Sequence, residues 1–381
     1  MYDRDLLIAG AGPVGATLAL ALRQAEFSVG LCEARALGEP PKTDRVLALS
    51  HGSRLILERL GIWSRLAAAA GGLEAIERVA VSQNPGSAEL VFSTAELGLP
   101  ALGYVLSYRD LVSAFDAALA ESGCMPQWQT PVSSARGTSS FACYELGGKR
   151  PAAGLARLIA IADGLPDEDA WHRDYQQQAL LSEVAVADAP GLAIERFTEQ
   201  GPIALLPRGK RHALVWTLPQ ALAGEVLALG DAAFVARLNK QFGGLPGRFS
   251  EPGPRRAYPL SMRFASRPAQ RRIVRLGNAA QTLHPVAAQG YNLGLRDAFE
   301  LARCLLEGGA GELGSERQLR RYVQGRRTDR WATGLATHSL VELFGIPSPA
   351  LARLRDRGLQ LLSESPVLRS AASRVLMHGW R

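Results

Sequence analysis

Gly10, Gly12 and Gly15 stand in the spacing G-x-G-x-x-G (GAGPVG), and Glu33 follows 18 positions after Gly15. That set suits one task, holding a dinucleotide. The first glycine permits a tight turn, the second lets the backbone approach a pyrophosphate, and the third lets a helix pack closely on a strand. The acidic residue can accept hydrogen bonds from a ribose. A second constellation lies late in the chain, in RIVRLGNAAQTLHPVAAQGYNLGLRD at 272–297. There Gly277, Asn278, Pro285, Gln289, Gly290 and Asn292 fall in a loop that leads into a helical pattern. Such a helix start presents unpaired N–H groups and the positive end of the helix dipole, which favour a ligand that is anionic or becomes so on reduction.

The elements that must position these residues are legible on both sides. DLLIA at 5–9 reads as a buried strand, 16–24 as an Ala/Leu helix and 27–32 as a second strand ending at Glu33, so the glycine turn has the strand before it and the helix after it that its reading requires. RLIAIA at 157–162 reads as a further strand delivered to Asp163-Gly164. Arg45 stands in a loop before an amphipathic helix, where it can reach a cofactor or pair with a carboxylate. Arg109 heads another helix; a cation there opposes the dipole and points to a bound phosphate. Between 78 and 105, and again from 180 to 218, short alternating runs separated by Gly and Pro turns read as antiparallel strands able to wall a pocket. From 315 to the end the pattern is helical, broken at Pro347, Pro349 and Pro366.

Two look-alikes fail on context. Gly309 to Gly314 (GAGELG) repeats the glycine spacing, but no strand leads into it, and it reads as a linker. Gly230-Asp231 resembles a phosphate motif, but an amphipathic run follows, and Asp231 reads as a helix cap. One dinucleotide site is expected.

A chain of 381 residues, 47% hydrophobic, can fill a substantial core and is long enough for two domains. The net charge of +7 sits in 315–381, which holds 12 Arg, no Lys and 5 acidic residues, while 1–314 is balanced. That tail could meet an anionic lipid surface or an acidic partner, or be a solvated helical face. Four cysteines without metal or disulfide spacing read as reduced cytosolic thiols. No apolar run reaches the ~20 residues that span a bilayer.

The GAGPVG turn with Glu33, the central ADG at 162–164 and the late GNAAQTLHPVAAQGYNLGLRD occur in the order found in FAD-dependent aromatic hydroxylases of the para-hydroxybenzoate hydroxylase type. ERFTEQGPIALLP at 195–207, VWTLP at 215–219 and RRAYPL at 255–260 resemble the ubiquinone-biosynthesis branch, above all its 2-octaprenyl-6-methoxyphenol hydroxylases. The resemblance implies an α/β protein with a Rossmann-like FAD-binding fold, a β-sheet substrate domain and a helical C-terminal region. The corresponding bounds are 1–75, 101–165 and 265–314 for FAD, 76–100 and 166–264 for substrate, and 315–381 for the helical region.

It further implies that Gly10, Gly12, Gly15 and Glu33 hold the ADP half of FAD. Arg45 and Arg109 contact its pyrophosphate or ribityl region, Asp163 and Gly164 serve FAD and nicotinamide, and Gly277, Asn278, Pro285, Gly290 and Asn292 surround the ribityl chain and ring. Pro285, Gln289 and Gly290 are the candidate catalytic residues. NAD(P)H would reduce the flavin, dioxygen would form a flavin peroxide, and a polyprenylated phenol would take up one oxygen atom. The alternatives are a flavin oxidoreductase without oxygen insertion and a noncatalytic subunit of a quinone-biosynthesis complex. A cytoplasmic protein is expected, with peripheral membrane contact through the C-terminal region and self-association left open, and with no nucleic-acid partner.

Three departures stand out. Asn278 replaces the usual Asp, a mark shared by some of the ubiquinone branch. Ala288 replaces a glycine before Gln289, and LPDEDAWHRD at 165–174 replaces the usual Ser and basic residue after the central motif. His284 reads as a loop histidine bonded to backbone.

Overall fold

The computed structural model describes residues 2–380 except 42, 43, 70, 150, 168, 188 and 244–247, so Glu168, within the altered stretch after Gly164, lies outside the described residues. The chain opens with β1 (Arg4–Ala9), α1 (Pro13–Ala21), β2 (Val29–Cys32), β3 (Val46–Ser50), β4 (Arg78–Asn84), β5 (Glu89–Ser93) and α2 (Tyr108–Ser122). It continues through β6 (Ala152–Ile161), β7 (Trp171–Val186), β8 (Leu192–Thr198), β9 (Gly201–Arg208) and β10 (Arg211–Pro219). After β11 (Arg256–Phe264) and β12 (Ile273–Arg275) come the helices α3 (Gln289–Glu312), α4 (Glu316–Gly345), α5 (Pro349–Glu364) and α6 (Pro366–His378).

Leu6, Leu7, Ile8 and Ala9 of β1 are all buried, the mark of a strand covered on both faces of a parallel sheet. β1 pairs in parallel with β2 and β6, and β6 with β12, so Leu6 lies abreast of both Val29 and Leu158 and Ile159 of Ile273. α1 starts at Pro13, where a missing N–H costs nothing, and packs against α2 and α3 over the largest core of the molecule.

The second sheet runs β11-β7-β10-β9-β8-β4-β5, antiparallel except for the β8–β4 pair. One face carries Leu180, Ile203, Leu205, Leu214 and Trp216 and is sealed by the helices Gln220–Ala228 and Asp231–Phe242. On the other, Leu181, Val215, Ala204, Glu195, Val81 and Leu90 form one row across six strands. Five are apolar; Glu195 is the exception.

Two local expectations are corrected. Residues 46–50, expected as loop before a helix, form β3, which pairs with the strand Gly103–Ser107. Asp231 does not cap its helix; Gly230 occupies that position and Asp231 pairs with Arg255 at 2.9 Å. GAGELG is a partly helical linker: α3 kinks at Gly309 (φ +62°), continues to Glu312 and gives way to a turn at Leu313-Gly314 that leads into α4. The helical C-terminal stretch is as expected: Pro349 and Pro366 occupy the first turns of α5 and α6, and Ser348 and Ser365 accept hydrogen bonds from Leu351 N–H and Leu368 N–H.

The basic tail is divided: Arg326 and Arg330 are buried, whereas Arg317, Arg320, Arg321, Arg327, Arg353, Arg357 and Arg374 are exposed. Arg326 is buried against Asp297 (2.7 Å) and Asp329 (2.6 Å), Arg330 donates to Gln281 Oε1 at 2.8 Å, and Arg317, Arg320 and Arg369 pair with Glu312, Glu316 and Glu96.

Candidate flavin and substrate site

A cavity of about 1690 Å³ runs between the two sheets and under the C-terminal helices. One end is built by the glycine turn. Gly10 adopts φ +96°, and a side chain there would meet the Asp163 backbone at 2.7 Å; a Cβ on Gly15 would overlap the Gly10 carbonyl oxygen. Around Gly12 the situation is opposite: the nearest atom to a Cβ would be Tyr108 Oη at 4.0 Å, and Gly12 lines the cavity. The turn is therefore packed tight behind and left open in front, the shape a pyrophosphate needs.

Glu33 completes this end. Its Oε2 accepts the Ala11 N–H at 2.7 Å and its Oε1 the Arg35 N–H at 2.9 Å, which fixes the carboxylate at the cavity wall with lone pairs to spare. Arg45 is also in the lining, its guanidinium 5.2 Å from the Tyr108 ring centroid. Arg109 is not: it is exposed and its Nε lies 3.7 Å from Asp44, so the off-pattern cation at the start of α2 has a carboxylate partner. Arg35, which sequence reading passed over, lines the cavity and is held by a bidentate pair with Asp116 (2.9 Å) and by the face of Trp128. Asp163 and Gly164 are exposed and line the cavity next to Gly10.

The loop after β12 forms the middle of the cavity. Gly277 (φ +57°), Gly294 and Val14 pack so closely that a Cβ on Gly294 would lie 3.2 Å from Gly277 Cα, which brings the late loop onto the turn of α1. Asn278, Pro285, Gln289 and Gly290 all face the space. Ala287 and Ala288 sit at φ +59° and +50°, so both hold a left-handed conformation that costs a residue with a Cβ about 1–2 kcal/mol. The alanine at the position of the family glycine holds a conformation that glycine adopts without strain. The Pro285 carbonyl accepts the Ala288 N–H at 2.9 Å and steadies this bend.

The side chain of Asn292 is not available to a cofactor. Its Oδ1 accepts Ser50 N–H (2.9 Å) and Ser53 Oγ–H (2.7 Å), and its Nδ2 donates to the carbonyls of Ala48 (3.0 Å) and Ala288 (2.9 Å). It ties α3 to β3 and leaves only backbone at the cavity. His284 follows its expectation: Nδ1 accepts the Val286 N–H at 3.2 Å, burial lowers its pKa to about 4, and the neutral ring carries its proton on Nε2. That Nε2 and the Tyr291 hydroxyl are buried, lie in the lining and have no hydrogen-bond partner among the described residues. Burial also pushes the Tyr291 hydroxyl well above its ordinary pKa. Orphaned donors beside an open glycine turn fit a bound polar group.

Beyond the loop the walls become apolar. Leu90, Phe92 and Leu206 come from the sheet, and Leu359, Leu362 and Leu376 from α5 and α6. Glu195, half-buried on β8, is the carboxylate in this part of the lining. It accepts the Ala287 N–H, and desolvation outweighs that bond to raise its pKa to about 7.

The family model described as FAD binding domain matches residues 173–334. Ubiquinone hydroxylase UbiL of Rhodospirillum rubrum is 32% identical over 372 residues, 92% of this chain and 84% of its own length. The chain belongs to the FAD-dependent hydroxylases of ubiquinone biosynthesis. The 3-demethoxyubiquinol 3-hydroxylase of Escherichia coli strain K12 is 30% identical, with 97% of each chain covered. The fold is shared with p-nitrophenol 4-monooxygenase PnpA of Pseudomonas putida DLL-E4, at a TM-score of 0.76, 17% identity and 99% coverage of both chains. The family, the fold class and the FAD cofactor are as the sequence motifs implied, and this hydroxylase is an FAD-dependent monooxygenase.

Proposed function

We propose that this hydroxylase inserts one atom of dioxygen into the ring of a polyprenylated phenol, with NAD(P)H as reductant. The observation that carries the reading is the shape of the cavity. It exceeds the roughly 300–1,000 Å³ usual for a small-molecule site, and past the flavin loop it continues as an apolar passage walled by β4, β5, α5 and α6. A cofactor fills the glycine-rich end, a ring fits at the loop, and an isoprenoid tail has the apolar passage.

Bound FAD supplies the redox and oxygen chemistry. The chain's own part begins with holding it: Gly10, Gly12, Glu33 and Arg45 at the ADP and pyrophosphate end, Gly277, Asn278, Pro285, Gln289 and Gly290 at the ring, with Gly15 acting through packing. The start of α3 offers free N–H groups and a positive dipole to a reduced, anionic ring. Pro285 and the strained alanines shape the loop, and the leucines of α5 and α6 keep water out. Asp163, Gly164 and Leu165 line the cavity yet are exposed, which gives the reductant a side of approach.

Purified with FAD and given NAD(P)H, 2-farnesylphenol and heavy dioxygen, the enzyme should place one labelled atom in the product. Oxidised product without label would instead favour the flavin oxidoreductase reading.

The apolar passage also bears on how such a substrate arrives. No helix among the described residues is long and apolar enough to cross a membrane. Leu343, Leu354 and Trp380, however, both line the cavity and are exposed, and Ile346, Leu361, Val367 and Leu368 extend the apolar surface. In this reading the rim rests on the lipid headgroups. Leu354→Glu combined with Leu361→Glu should weaken co-sedimentation with anionic vesicles at least several-fold and leave flavin content unchanged; undiminished sedimentation would reject the contact. Truncation after Gly345 is unsuitable, because it removes two walls of the cavity.

A further inference from the structure

We propose that Glu195 is the carboxylate that receives the hydrogen bond, and in the reaction the proton, of the substrate's ring hydroxyl. The inference rests on the phenol-hydroxylase reading above and assigns that reading a residue.

The argument starts from the strand. In LAIERFT, residues 192–198, alternate side chains point to opposite faces. Ala193, Glu195 and Phe197 face the cavity, whereas Ile194 packs in the opposite core and Arg196 bonds to Ser82 Oγ and the Gln241 carbonyl. Across the sheet Glu195 lies between Ala204 and Val81 in a row otherwise made of Leu, Val and Ala. Packing gives no reason for a carboxylate there, and burying one without a cation is costly. Among the described residues no ion pair reaches it; the Ala287 N–H is its protein donor. The carboxyl group shares the cavity lining with the bend of the flavin loop and with the leucines beyond it, so it lies between loop and apolar passage.

The proton balance is simple. The phenol O–H bond breaks, its electron pair stays on the ring oxygen, and the carboxylate becomes a carboxylic acid; no electron leaves the pair and no further reagent is required. The electron density kept on oxygen is delivered to the ring carbons, which makes the ring a better acceptor of an electrophilic oxygen atom. Lack of a cation keeps Glu195 a stronger base than a salt-bridged carboxylate, which suits general-base work near neutral pH.

Other ionisable groups around this region are His284 in the loop, Tyr258 on β11 and Arg355 on α5, with Tyr175 on β7 bonded to His338 Nδ1 on α4 at 3.0 Å outside the lining. His284 is neutral over the working range, since burial lowers its pKa to about 4. Glu195, raised to about 7, gains its charge as pH rises through neutrality.

The test compares wild type, Glu195→Gln and Glu195→Asp as FAD-loaded enzymes turning over 2-farnesylphenol between pH 5.5 and 9. Glutamine retains an oxygen for the Ala287 N–H, so flavin content should not change. Wild-type kcat/KM should rise with pH along a one-proton limb near pH 7. Glu195→Gln should lose that limb and about 10²–10⁴-fold in kcat/KM at pH 8, with NAD(P)H still consumed but little product formed. Glu195→Asp should recover part of the rate and the limb. A Gln variant that keeps the limb or the rate, or that loses flavin, would overturn the assignment while leaving the hydroxylase reading in place. A wild type that incorporates no label from heavy dioxygen overturns both.

Discussion

Gly12→Val is expected to fold and to be colourless, whereas Gly15→Val should give no folded protein at all. The two glycines belong to one motif three residues apart, but they serve different links in the chain from sequence to function. A Cβ on Gly15 would overlap the Gly10 carbonyl, in backbone held between β1 and α1, where no flexible side chain can yield. Overpacking of a core by even a methylene costs about 1–3 kcal/mol, and a branched side chain against backbone exceeds that several times, comparable with the whole 5–15 kcal/mol of a typical domain. At Gly12 the backbone is extended (φ −60°, ψ 170°) and the space in front is cavity. There a valine loses only the cap preference of its helix, about 1 kcal/mol, and puts its methyls where the cofactor's pyrophosphate belongs.

Gly290→Val belongs with Gly12, since a Cβ there has only Leu283 Cβ near it, at 3.9 Å. It should keep the fold and lose flavin-dependent turnover. Gly311→Ala, in the look-alike GAGELG, has nothing within 4 Å and should change neither. Circular dichroism with flavin absorbance on the same four samples separates the outcomes. A yellow Gly12→Val or a folded Gly15→Val would show that the turn does not work as its geometry indicates.

What could be read in advance follows how local each signal is. The glycine turn, its flanking strand and helix, the meander and the Pro-punctuated C-terminal helices are all set by neighbours within about ten residues, so periodicity and turn chemistry revealed them. β3 escaped because five residues before a strong helical pattern carry too little alternation, and its partner strand Gly103–Ser107 is more than 50 residues away. Asn292 was placed in the right loop but given the wrong duty: sequence shows a polar residue near a ligand loop and cannot show that Ser50, Ser53 and Ala48 have already used it. The pairing of Arg109 was equally out of reach, its partner Asp44 being distant in sequence. Glu195 was detectable in principle, since a carboxylate at the centre of an alternating strand is a mismatch. The signal was weak because Arg196 beside it makes ER look like an ordinary solvent-facing pair, when one side chain faces the cavity and the other is buried on the opposite face.

The buried part of the basic tail, Arg326 with its neighbours, underlies the second large effect. Asp329→Ala should destabilise the protein by about 3–5 kcal/mol and uncouple the C-terminus from the flavin helix. Asp329 is 1% exposed on α4 and binds Arg296 of α3 at 2.8 Å, Arg326 at 2.6 Å and the backbone N–H of Trp380 at 2.9 Å. Removing it leaves Arg296, itself 1% exposed, with a buried charge and no carboxylate, while Arg326 retains Asp297. Burial works against the charge on Asp329, but Arg296 and Arg326 more than offset it, so its pKa lies below the usual carboxylate value. The stabilisation is therefore present above the unfolded-state pKa of about 3.9 and is lost as pH falls through the folded one. Urea titrations should show the full gap between wild type and Asp329→Ala at pH 7 and a shrinking gap below pH 4; equal midpoints at pH 7 would dismiss the network as a stabilising element. Replacing both partners, Arg296→Met with Asp329→Leu, should recover much of the loss, because an apolar pair of similar volume avoids the stranded charge. It should not recover the tether on Trp380, which lines the cavity. If that tether keeps the apolar passage closed to water, the double variant will be stable yet form less hydroxylated phenol per NAD(P)H consumed, which separates the network's contribution to folding from its contribution to the site.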